Sequence, residues 1–134
     1  MEKDLVIKHV KVVFAELEDK GFGTNLTIDV TDPALQEQIS KWVKDNNING
    51  GVAKFKEYTT KDGQVTKQYN VKLSKYTDFQ AKEDGMELGY GSVINLLARP
   101  YNYDNKFGKG TSASAAAIFI IKSKINTTMD KIAE

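Results

Sequence analysis

Residues 89–122 read GYGSVINLLARPYNYDNKFGKGTSASAAAIFIIK, and the way this run folds decides the architecture. Val93, Ile94, Leu96 and Leu97 form an apolar strand that ends at Pro100, which has no N–H to continue a ladder. Tyr101 to Gly110 then reads as a loop carrying Tyr101, Tyr103 and Phe107 among Lys106 and Lys109. Thr111 to Lys122 supports two readings. Its alanines favour helix intrinsically, whereas Ile118-Phe119-Ile120-Ile121 suits a buried strand, and pattern alone leaves both open.

Upstream of this run, residues 76–89 are acidic and irregular and read as a connection. Before them, residues 52–60 and 64–75 flank Asp62-Gly63, a strong hairpin signal. A two-residue turn there pairs Lys61 with Gln64, Tyr58 with Lys67 and Lys56 with Tyr69. One face then carries Lys54, Lys56, Tyr58, Lys67, Tyr69 and Val71, and the other Ala53, Phe55, Glu57, Gln68, Asn70 and Lys72. The first face interleaves cations with aromatic rings, which offers charge to phosphates and π-faces to bases. That assignment depends on register, because a slip of one residue mixes the two faces.

Further towards the N-terminus, Leu5 to Leu17 is rich in Val, Ile and Phe, with Val10, Val12 and Phe14 alternating against His9, Lys11 and Val13, a long strand. Glu18-Asp19-Lys20-Gly21 is turn chemistry, and Leu26, Ile28 and Val30 mark a half-buried second strand. Asp32-Pro33 opens a helix over about residues 32–46, with a capping carboxylate followed by proline at the first helical position. Leu35, Ile39, Trp42 and Val43 give it one apolar stripe, so Trp42 belongs to the core. Asn47, Asn49, Gly50 and Gly51 stop it. Residues 123–134 read as a polar C-terminal tail. Six candidate strands and one helix describe a mainly β chain whose residues 1–122 form a single domain. The expected architecture is a small barrel of five to six strands, of the oligonucleotide-binding (OB) kind, with one inserted α-helix.

The 134 residues suit one domain with a real core, and 40% hydrophobic with 28% charged residues excludes disorder. No apolar run approaches the ~20 residues that span a bilayer, and the first residues lack the apolar region of a secretory signal. Zero cysteines exclude disulfides and thiolate zinc sites and suit a cytoplasmic location. The formal net charge of +1 conceals an uneven layout. Residues 12–47 carry seven acids against three lysines, and residues 78–87 four acids against Lys82. Residues 52–76 carry six lysines against Glu57 and Asp62, and residues 99–110 carry Arg99, Lys106 and Lys109 against Asp104. Lysines on half-exposed strands also keep a sheet edge soluble, so charge alone does not decide. Arg99 is the only arginine, so contacts to nucleic acid are expected to be largely blind to sequence.

Catalytic material is sparse. His9, the only histidine, lies in an apolar strand, where a solvent-facing position accounts for it. Glu83, Asp84 and Glu87 form the densest acidic group, but beside Gly85 they read as a solvated loop. Gly108-Lys109-Gly110-Thr111 fails the phosphate-binding pattern because a glycine separates the lysine from the threonine. No enzyme, cofactor or metal is expected.

The opening run also carries a resemblance. Gly91-Ser92, Arg99-Pro100-Tyr101, Tyr103, Asn105 and Phe107 to Gly110 resemble the closing region of the bacteriophage single-stranded DNA-binding proteins with an OB fold. The resemblance covers about a quarter of the chain, residues 89–122. It implies that residues 111–122 are a strand and that the chain coats single strands during phage replication, recombination or repair, in the host cytoplasm. Carried over residue by residue, it makes Arg99, Tyr101, Tyr103, Phe107 and Lys109 DNA contacts beside Lys54, Lys56, Tyr58, Lys67 and Tyr69 of the hairpin. Partners would be single-stranded DNA and phage or host replication proteins, and the small residues Ser112 to Ala117 would let a second subunit approach as a homodimer. Proteins of this type usually end in a strongly acidic tail, and SKINTTMDKIAE departs from that with Lys124 and Lys131 beside Asp130 and Glu134. The alternative function is a non-enzymatic, all-β phage accessory or assembly module whose aromatic loop meets protein or sugar. A magnesium-dependent nuclease using Glu83, Asp84 and Glu87 stands third.

Overall fold

A computed structural model describes residues 4–18 and 24–125; most of the Glu18–Gly21 turn and residues 126–134 of the tail lie outside them. The chain forms β1 (Leu5–Glu16), β2 (Thr24–Asp29), α1 (Pro33–Asp45), β3 (Lys56–Thr59), β4 (Val65–Leu73), β5 (Asp78–Ala81), β6 (Val93–Asn105) and β7 (Gly108–Lys122). Five strands close a barrel of the OB kind. Antiparallel pairs run β4–β2–β1–β6–β7, and a parallel contact at Lys72 and Ser114 joins β4 back to β7. The short strands β3 and β5 extend the edges of β4 and β7. No helix among the described residues is long and apolar enough to cross a membrane.

The core follows from the alternation of β-branched and aliphatic residues. Leu26 and Ile28 of β2, Val71 of β4, Ile94 and Leu96 of β6 and Ile118 of β7 point inward and are buried. Asp32 caps α1 as expected, its Oδ1 accepting the Ala34 N–H at 3.0 Å, with Pro33 opening the helix. Ile39, Trp42 and Val43 join the core from the helix.

Several sequence expectations change here. Thr111 to Lys122 is strand throughout, because pairing with β6 satisfies its backbone and buries Ile118 and Ile120. Alanine propensity is worth only tenths of a kcal/mol per residue, ~0.7 at most, and tertiary pairing overrides it. Nor does β6 stop at Pro100. It pairs on to Asn105 opposite Gly108, so the expected ten-residue loop is a hairpin arm turning at Lys106-Phe107. Among the described residues pairing with β1 ends at Ala98, so the missing N–H of Pro100 interrupts no described ladder bond. The supposed connection contains β5, parallel to β7.

Two irregularities in β1 control its faces. Ile7 and Val10 are both buried although three apart, because the pairing with β6 slips between them, with His9 at φ 55°. A second slip between Val12 and Phe14 turns Phe14 out of the core.

Candidate functional site

The β3–β4 register places the hairpin side chains. Lys56 faces Gln68, Glu57 faces Lys67 and Tyr58 faces Thr66, one residue away from the pairing expected of a two-residue turn. The turn is wider: the Thr60 N–H donates to the Gln64 carbonyl at 2.8 Å and the Gly63 N–H to the Thr60 carbonyl. Since directly opposed residues share a face, Lys56 and Tyr58 lie with Gln68, Asn70 and Lys72. Lys67 and Tyr69 fall on the other face, a correction to the expected lysine–tyrosine row.

The outer face of β2, β4 and β3 is a groove of about 630 Å³. Cross-strand rows build it: Phe14–Thr27–Asn70 across β1, β2 and β4, and Asn25–Lys72 and Lys56–Gln68 beside it. Lys54 and Tyr58 complete one rim. Among the described residues no carboxylate pairs with Lys54, Lys56 or Lys72.

One edge of β4 is interrupted beside this groove. Its pairing with β3 stops at Gln68 and its pairing with β7 comes at Lys72, so among the described residues Tyr69 to Val71 have no strand on that side. Phe55 fills part of the notch, its ring tilted against Tyr69 with centroids 5.7 Å apart. Tyr69 is 4% exposed, which overturns its expected role as an exposed stacking ring. Burial pushes its phenol up to about 12. Among the described residues the Tyr69 Oη and Ser112 Oγ are both buried without a hydrogen-bond partner, and both residues line the groove. An unpaired buried hydroxyl costs about 1–3 kcal/mol, so two along the same groove ask for an explanation.

Beyond the β4–β7 contact lies a second depression of about 360 Å³, which shares Lys72 with the first and is lined by Tyr76, Tyr101, Pro100 and Ser114. Tyr76 is 81% exposed, with the Lys75 ammonium 5.2 Å from its ring centroid. Hydrogen bonds hold its turn: the Tyr76 N–H donates to Ser74 Oγ, and Thr77 Oγ1 donates to the Ala115 carbonyl at 2.8 Å.

The hairpin arm splits the other expected contacts. Tyr103 pairs with Gly110 and Asp104 with Lys109, so Lys109 occupies the face opposite Tyr103. A Cβ at Gly110 would stand 2.8 Å from the Tyr103 Oη, so the glycine makes the seat on which that ring lies. Phe107 stands at the tip, 88% exposed. Arg99 lines the second depression but is bidentate to Asp4, Nε and Nη2 each 2.9 Å from a carboxylate oxygen. That pairing raises the arginine and holds the Asp4 carboxyl below its usual range.

Of the ten residues expected from sequence, Lys54, Lys56 and Tyr58 therefore meet in one groove, with Tyr69 beneath it; Arg99 and Tyr101 meet in the next; Tyr103 and Lys109 flank a third depression on the hairpin arm, and Lys67 and Phe107 line none of the three. The two depressions also gather Phe14, Asn25, Thr27, Gln68, Asn70, Lys72 and Tyr76, none of them among the ten expected from sequence. Lys72 and Tyr76 carried a legible signal, since both lie in the basic segment 52–76.

No protein-family model matches the chain, and no curated protein matches it in sequence. Solved structures do share its fold. The single-stranded DNA-binding protein from bacteriophage Enc34 superposes with a TM-score of 0.62 at 16% identity, over 96% of this chain and 89% of that one. The same protein in complex with single-stranded DNA gives 0.57 at 15% identity, over 91% and 88%. Gp2.5, a single-stranded DNA-binding protein encoded by bacteriophage T7, gives 0.53 at 15%, over 92% and 94%.

Proposed function

We propose that the chain is a non-catalytic protein that binds single-stranded DNA largely without regard to sequence. The strand would cross the groove over β2 and β4, pass Lys72 and continue between Tyr76 and Tyr101. The observation that carries this reading is the groove itself: Lys54, Lys56 and Lys72 stand around Phe14 and Tyr58. Cations beside exposed rings suit a strand whose bases can splay onto aromatic faces, which the stacked bases of a duplex cannot do. Among the described residues the lining of both depressions is cationic, aromatic and amide or hydroxyl in character, which suits binding a polyanion. The fold shared with the Enc34 and T7 proteins supports the same reading. It extends to work in phage replication, recombination or repair in the host cytoplasm, with replication proteins or a second copy of the chain as further partners.

Titration with oligo(dT) and with duplex DNA over a range of salt tests it. With three or four lysines on phosphates, at ~0.7 each, the slope of log affinity against log salt should be about −2 to −3. Absence of any salt-sensitive preference for the single strand overturns the proposal.

A further inference from the structure

We infer that the notch in the barrel wall between β3 and β7 is a base-reading subsite, in which Tyr69 Oη and Ser112 Oγ hydrogen-bond the polar edge of one nucleobase. This rests on the single-stranded DNA reading above and adds a limited base preference to it. Among the described residues, only these two side chains bury an N or O atom without a partner, and both line the same groove. They come from strands that do not pair at this height: among the described residues β4 has no neighbour on this edge between Gln68 and Lys72, and Ser112 lies on β7 two residues before the Ser114 contact. The opening is thus a consequence of how the barrel closes.

The chemistry selects a base over a phosphate. Each hydroxyl can donate and accept, which matches the mixed donors and acceptors of a base edge. A phosphate only accepts and carries charge, and the lysines at Lys54, Lys56 and Lys72 serve it better. Gln68 and Asn25 add amides, which both donate and accept, to the groove lining. Phe55, packed on Tyr69, adds an aromatic surface to the groove lining.

Tyr69→Phe and Ser112→Ala remove the hydroxyls alone. Because neither has a protein partner, both variants should keep the wild-type melting temperature or exceed it, which separates lost binding from lost fold. The measurement is affinity for oligo(dT), oligo(dC) and oligo(dA) of one length, each with its salt dependence. The wild type is expected to rank the three homopolymers, with about 3- to 10-fold between best and worst, the worth of one or two hydrogen bonds. The double variant should lose the ranking and keep the salt slope. Wild-type ranking retained by the variants, or no ranking in the wild type, overturns the subsite while leaving single-strand binding intact. An equal loss on every homopolymer assigns the hydroxyls to the sugar–phosphate backbone and also overturns it. No binding of any single strand by the wild type overturns the reading beneath it.

Discussion

Single residues carry effects here that their types do not announce. All six tyrosines look alike in the sequence, yet Tyr69 is enclosed while Tyr76 projects into solvent. A buried phenol gives up its proton reluctantly, and Tyr69 rises from 10.0 to about 12. The stability tied to its neutral form is therefore complete below pH 10 and is lost as pH climbs through about 12. Absorbance titration of the native protein should show a tyrosine ionising near pH 12, and Tyr69→Phe should remove that step. A residue-scale constraint also falls on Gly91, whose φ is +85° and whose added Cβ would lie 2.4 Å from Ile125. Left-handed backbone alone costs a side chain roughly 1–2 kcal/mol, so Gly91→Ala should lower stability by at least about that much in urea unfolding. Neither constraint was legible beforehand, because burial and clash are properties of neighbours distant in the chain.

Elements were legible where local chemistry fixes them. The helix announced its start through Asp32-Pro33 and its buried stripe through Ile39, Trp42 and Val43. Asp32→Ala should cost ~1 kcal/mol by removing the cap to the Ala34 N–H, a loss that thermal unfolding would register. The strands were legible in existence but not in register. The β3–β4 turn moved the pairing by one residue, and that shift exchanged Lys67 and Tyr69 for Gln68, Asn70 and Lys72 on the groove face. The bulge after Val12 did the same for Phe14. In β7 the alanines have a packing role: Ala113 and Ala115 are buried on either side of Ser114, where β4 and β7 meet. Ala115→Leu should overpack that closure and destabilise the barrel by ~1–3 kcal/mol, read from the denaturation midpoint.

At the scale of the molecule, the net charge of +1 says little, because the groove gathers cations that the sum cancels. If Lys54, Lys56 and Lys72 contact phosphates, changing all three to Gln should flatten the salt slope by about 2 while leaving thermal stability unchanged. Lys67→Gln and Lys109→Gln serve as controls and should move the slope little, since each lies off the groove face. A flattened slope in the controls with none in the triple variant would place the strand on another surface. Local chemistry was enough to read the class of fold, the helix and its cap, the basic segment and the scarcity of histidine and cysteine, because composition, capping and hydrophobic period act within a few residues. Tertiary structure alone decided which side chains share the groove, that the aromatic run is a hairpin arm, that Arg99 is held by Asp4, and that β4 is left open beside two unpaired hydroxyls. The physical reason is that sheet faces have a period of two: one inserted residue reverses a strand's entire display, and only closure of the barrel fixes where such insertions fall.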